Sequence, residues 1–120
     1  MVETGPEAVA GSTRMKAGTA QKMVLNTLST GAMTRLGYVY GNLMVNVHLK
    51  NRKLVERGIA VLECEAQVDR ATAERALKQS GKSVPVALVM FKAGVTRAEA
   101  QRRLQAAGGH VRRAIANKKD

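Results

Sequence analysis

Between residues 5 and 22 the chain reads GPEAVAGSTRMKAGTAQK, which gathers glycines, the hydroxyls of Ser12, Thr13 and Thr19, and the cations Arg14, Lys16 and Lys22. Gly11, Ser12 and Thr13 at the opening of a helix would offer backbone N–H groups, hydroxyl donors and the positive end of the helix dipole. That combination stabilises an oxyanion. Arg14 can hold an oxyanion through two parallel N–H bonds, Lys16 acts as a point charge, and Lys22 adds a further cation along the helix. The chemistry this suits is phosphate binding. Spacing alone equally describes a capped helix with solvated cations, and favours that plainer account.

Other reactive residue types are sparse. His110, at the start of the last short helix, is a candidate substrate-facing donor. His48 and His110 lack neighbouring ligands at helical spacing, and Cys64 is alone, so no metal site and no disulfide framework is expected. Cys64, in LECEA, reads as a small core or surface residue, since no base stands near it in sequence. Arg102, Arg103, Arg112 and Arg113 invite a nucleic-acid reading, but no aromatic platform or recognition motif accompanies them in sequence. A solvated face is the better expectation.

The elements that must position these residues are mainly helical. Ala20, Val24, Leu28, Ala32 and Leu36 recur every four residues from Ser12 onward. This predicts one long amphipathic helix, capped by Ser12 or Thr13 and stopped at Gly37. Met23, Met33 and Met90 fall on apolar stripes and read as gap-filling core, with Met44 in an extended stretch. The segment YVYGNLMVNVHL is expected to be a short extended link. Asn51 then caps a second helix with the stripe Leu54, Val55, Ile59, Leu62 and Ala66, despite Gly58 in its middle.

An offset of 27 residues sets Ala73 on Ala100, Leu77 on Leu104, Gly81 on Gly108, Val84 on Val111 and Ala87 on Ala114. Each copy reads as cap, short helix, glycine stop and second short helix. Asp69 is expected to cap the first copy and a Thr96/Glu99 capping box the second, while Ser83 caps an intervening helix with Pro85 in its first turn that ends at Gly94. The two copies are expected to pack on each other as a small module resembling ubiquitin-associated-type domains.

Composition narrows the class. The chain has 120 residues, 45% apolar but only 2% aromatic, so its core must be built from Leu, Val, Ile, Met and Ala. Twenty Lys and Arg against nine Asp and Glu give +11, and residues 68–120 hold twelve of the bases but four of the acids. The anionic partner this implies is met by the C-terminal helices. No stretch approaches the roughly 18 uninterrupted apolar residues that a membrane helix needs, so a cytoplasmic protein without a membrane partner is expected.

Taken together, GPE at residues 5–7 and GSTRMKAGTAQK at residues 11–22 resemble the signature shared by bacterial N-acetylmuramic acid 6-phosphate etherases and the glucokinase regulatory protein. The resemblance continues through MVLNTLSTGAM, LGYVYGNLMVNV, NRKLVERGI, VALVMFKAGVT and AGGHVRRAI, and the etherase branch is the better fit. It implies a C-terminal portion with this organisation: residues 1–47 as the remnant of a sugar-isomerase-type domain, 48–67 as a connecting helix, 68–116 as a small helical module and 117–120 as a frayed tail. In the family that remnant completes a doubly wound α/β domain.

The family reaction cleaves the lactyl ether of N-acetylmuramic acid 6-phosphate to N-acetylglucosamine 6-phosphate and D-lactate during cell-wall sugar recycling, without metal or other cofactor. The resemblance makes Ser12, Thr13, Arg14 and Lys16 the substrate-binding residues, with Lys22 and His110 as further candidates. The family's catalytic glutamates and main serine loop precede the signature. No catalytic residue is therefore expected in this chain, Glu7 included, and the polypeptide alone is expected to be inactive. A homodimer, or completion by an N-terminal polypeptide, is the implied assembly. Asn46 departs from the family, where an acid is more usual. Alternative readings are a non-enzymatic phosphosugar-responsive regulatory or helical interaction module and, third, a basic nucleic-acid-binding module.

Overall fold

A computed structural model of the chain describes residues 1–116; the expected frayed tail at residues 117–120 lies outside them. The chain forms two compact units, Met1–Arg35 and Leu36–Asp120. The fold is mainly helical, and the described residues make six helices and one two-stranded antiparallel sheet.

The first unit is a loop followed by helix α1 (Lys16–Arg35). Its start corrects the expectation from the local pattern, because neither Ser12 nor Thr13 caps it. The acceptor comes instead from Glu7, whose carboxylate receives the backbone N–H of Lys16 at 3.1 Å and of Ala17 at 3.0 Å. Two of the donors that every helix leaves open at its first turn are thereby satisfied, by a negative charge at the positive end of the dipole.

None of the residues of α1 is buried. Met23 is 65% and Met33 38% exposed, so these two methionines are not core fillers. A four-residue apolar repeat specifies a face, but nothing within this unit covers it.

The second unit opens with Leu36 and Gly37, the latter at a φ of +80° that only glycine adopts at little cost, and continues into a hairpin. Strands β1 (Val39–Tyr40) and β2 (Leu43–Met44) pair antiparallel around Gly41 and Asn42, with Val39 opposite Met44 and Tyr40 opposite Leu43. The expected extended link thus supplies its own backbone partners, and Val45 N–H adds a bond of 2.9 Å to the Tyr38 carbonyl.

Helix α2 (Arg52–Ala66) begins as its sequence predicts, with Asn51 Oδ1 accepting from Leu54 N–H at 2.9 Å. Gly58 is tolerated mid-helix because the helix is crossed closely there. A Cβ at that position would lie 3.1 Å from Val84 Cγ2 and 3.2 Å from Leu49 Cδ2.

Four short helices complete this unit: α3 (Arg70–Gln79), α4 (Val84–Ala93), α5 (Arg97–Ala106) and α6 (Val111–Ala116). Ser83 Oγ accepts from Val86 N–H and Thr96 Oγ1 from Glu99 N–H, each at 3.4 Å, while Gly94 ends α4 in the left-handed region. Asp69 stands at the N-cap position of α3, but its side chain makes no capping hydrogen bond, which corrects the expectation that it caps this helix.

The turns after α3 and α5 close with the same bonds. Ser80, Gly81 and Lys82 donate to Ala76, Lys78 and Leu77; Ala107, Gly108 and Gly109 donate to Arg103, Gln105 and Leu104. Leu62 and Leu88 are fully buried at the centre, with Val45, Val84, Val89 and Val111 around them, and α4 contacts each of the other four helices of the unit. With Leu, Val and Ala as its bulk, this core depends on interdigitated aliphatic packing.

Candidate functional site

The stretch at residues 5–22 folds as a closed loop on the first turn of α1. Gly5 and Gly11 take φ of +66° and +80°, and Ser12 N–H donates to Val9 O at 3.1 Å, so the chain reverses twice before the helix. Thr13 O accepts from Gly18 N–H at 2.8 Å, and a Cβ on Gly18 would stand only 3.1 Å from that oxygen. A small residue is required there.

Glu7 is the centre of the arrangement. Besides the two backbone amides it holds, its neighbour Pro6 accepts a bond of 2.7 Å from Lys16 Nζ. The amides of the first turn are therefore already engaged: Lys16 and Ala17 by a carboxylate, Gly18 by a carbonyl. Sequence reasoning placed Glu7 in the motif without a task; the structure makes it the helix cap. Its distance along the chain hid it, since ordinary capping acceptors lie within three residues of their targets.

The substrate-binding candidates separate into two groups. Thr13 and Arg14 are exposed and Ser12 is half-buried, its Oγ accepting from Arg14 N–H at 3.4 Å. Lys16 is exposed but tied to Pro6, and Lys22 lies exposed further along α1. A cavity of about 290 Å³ in this unit is lined by Val2, Thr4, Ala17, Ala20, Gln21, Val24 and Leu25, and a wider hollow of about 650 Å³ lies along Asn26, Thr30 and Thr34; neither is lined by any of these candidates.

His110 belongs to the second unit. Its ring packs on Gly37, where a Cβ would come within 2.9 Å of the imidazole. The residues LGY and AGGH are thus brought together although they lie far apart in the chain. Beside them, Asn46 lines a cavity of about 240 Å³ with Tyr38, Gln105, Gly108 and Gly109. Cys64 is exposed on α2.

One contact was not legible in the sequence. The Arg112 guanidinium lies 5.8 Å from the Tyr40 ring centroid and Lys92 Nζ 5.9 Å from it, within the range of cation–π attraction. An aromatic does accompany the C-terminal cations in space. Lys92 also lies 4.0 Å from Glu65 of α2, so the cation over the ring is itself paired.

No family model matches the chain. Among curated proteins it is similar to enzymes that cleave an ether. It is 51% identical to N-acetylmuramic acid 6-phosphate etherase of Klebsiella aerogenes over 113 residues, 94% of this chain and 38% of the relative. The proteins of the same name from Deinococcus radiodurans and Mycolicibacterium smegmatis are 50% and 51% identical over 96% and 95% of the chain, again 38% of each relative. The class these relatives define is therefore that of sugar-phosphate etherases. In particular, the chain is similar over nearly its whole length to N-acetylmuramic acid 6-phosphate etherases, and it spans about 38% of the length of the relatives it matches.

Proposed function

We propose that the chain supplies part of the phosphosugar site of an N-acetylmuramic acid 6-phosphate etherase acting in the cytoplasm. Thr13, Arg14, Ser12 and Lys16 border the phosphate, and Lys22 is a secondary contact. The observation that carries this is the closed loop at residues 5–18. Glu7 and Gly18 hold it shut, so that a hydroxyl and a guanidinium, Thr13 and Arg14, stand on its exposed side.

This refines how the anion is held. The first-turn amides of Lys16 and Ala17 belong to Glu7, which leaves hydroxyls and cations to meet the phosphate. Committed to that cap, Glu7 is not an acid or base for the reaction. Lyase chemistry of the kind the relatives' name implies would take its acid and base from residues outside these 120. Among the described residues no helix is long and apolar enough to cross a membrane.

The recurrence of backbone bonds and buried residues at an offset of 27 supports reading α3 to α6 as two related helix pairs, similar in form to ubiquitin-associated-type domains. The open apolar face of α1 supports burial against a sugar-isomerase-type sheet or a second copy in the assembled enzyme.

The test is direct: purified chain is incubated with N-acetylmuramic acid 6-phosphate and D-lactate is assayed, alongside phosphosugar binding by NMR. Binding that broadens or shifts the Thr13 and Arg14 amides, without lactate release, is expected. Lactate release by the chain alone would overturn the division of labour. Undisturbed loop amides at saturating sugar phosphate would overturn the site. A second reading, a non-enzymatic interaction module, is favoured by the wholly unburied α1; it would gain if the sugar left the loop untouched while α1 captured a protein partner.

A further inference from the structure

A second concave site lies in the helical unit, where α2 and α3 diverge. It is a cavity of about 270 Å³, with a floor made by Leu49, Val55, Ile59 and Leu77 and one rim by Lys78 and Lys82. The volume is at the small end for ligand sites, large enough for a short branched aliphatic body.

The charges around it are unequal. On the opposite rim, Glu56 and Glu74 are both held by one guanidinium: Arg70 NH2 lies 2.7 Å from Glu56 Oε2 and Arg70 Nε 3.0 Å from Glu74 Oε1. That guanidinium offsets one of the two negative charges and braces both carboxylates. Lys78, near the end of α3, and Lys82, in the turn after it, have no ion-pair partner among the described residues, so the open rim of an apolar pocket carries two unpaired ammonium groups and a net charge of one positive unit with Arg70 counted.

The backbone adds an independent observation. Lys82 has φ of +61°, a left-handed conformation that a lysine adopts only at a cost. The turn 27 residues later, closed by the same bonds, has glycine at the corresponding place: Gly109, with φ of +84°. Folding asks for glycine at both positions, and at the one beside the pocket the chain carries a cation. Strained backbone of this kind concentrates where a side chain has a task besides folding.

We propose that this pocket binds a small amphipathic carboxylate, its branched aliphatic body on Leu49, Val55, Ile59 and Leu77 and its anionic head between Lys78 and Lys82. This site is made by residues of the second unit and does not depend on the etherase reading. A short branched-chain acid matches both features, whereas a bare anion would leave the floor uncovered and a neutral alkyl compound would leave the lysines unmet.

The experiment uses the full chain with labelled methyl groups, titrated with 4-methylpentanoate and followed by NMR. The methyls of Leu49, Val55, Ile59 and Leu77 are expected to shift together with a Kd on the order of 1 mM, weakening as salt is raised. The neutral 4-methylpentanamide should bind about 10-fold more weakly, and acetate should move none of these methyls. Lys82→Gly is the decisive variant. It removes the cation and relieves the backbone, so it should melt no lower than the parent and bind the acid about 5-fold more weakly. Absence of methyl shifts, equal affinity for the amide, or unchanged affinity in Lys82→Gly would each overturn the proposal.

Discussion

Glu7 shows how a single side chain can decide where a helix begins. Its carboxylate meets the amides of Lys16 and Ala17, 9 and 10 positions further along the chain, so the loop and the helix end form together. Glu7→Ala should destabilise this closure by about 1 kcal/mol, the usual size of a lost cap with its favourable dipole contact. Amide exchange at Lys16, Ala17 and Gly18 should quicken, while protection in the helices of the second unit stays as it was. Unchanged exchange at Lys16 and Ala17 would show that the cap is idle. Local caps were readable beforehand because Asn51, Ser83 and Thr96 each accept from an amide three residues on. The cap of α1 was not, since its acceptor is remote in sequence and a plausible but unused pair, Ser12 and Thr13, sits nearer. The pairing of Tyr40 with Arg112 was hidden for the same reason: it is set by packing, not by spacing.

At the scale of elements, amphipathic pattern and burial part company. Helices α1 and α2 both carry an apolar stripe, and the sequence placed both. Only α2 has a partner within its own unit: Ile59, Val61 and Leu62 are buried on it, whereas α1 buries nothing. Periodicity states which face is apolar and is silent on what covers it. Leu62→Ala should therefore cost about 2–5 kcal/mol, because it opens a cavity in a packed aliphatic core. Leu28→Ala, at a residue 65% exposed, should change unfolding of the chain by less than about 0.5 kcal/mol. Chemical denaturation of the two variants compares them directly, and equal losses would contradict the burial seen here. The extended character of the hairpin segment was legible but its pairing was not, since strands of two residues are too short to show an alternation.

For the whole molecule, the excess of cations makes acid the natural stress. Asp69 is held below its ordinary carboxylate value, first by the Thr72 hydroxyl, which outweighs the opposing effect of burial, with lesser help from the Thr72 backbone and Arg75. A lowered folded-state value means the contribution is complete above the unfolded value of 3.8 and is lost as pH falls through the folded one. Stability should thus decline below pH 3.8, while the net charge, already +11, climbs as carboxylates protonate. Asp69→Asn should be flatter than the parent over that interval in thermal melts between pH 5 and 2.5, values chosen to span about one unit either side of a carboxylate titration. A parallel decline in both proteins would assign the acid sensitivity elsewhere.

The placement of the aromatic rings gives the molecule a built-in reporter. It has no tryptophan and two tyrosines, Tyr38 and Tyr40, both at the hairpin, with cations from α4 and α6 poised over the second ring. Near-ultraviolet dichroism and tyrosine emission therefore watch one small ribbon against the helices beneath it, and any event that lifts that ribbon will be visible without a label.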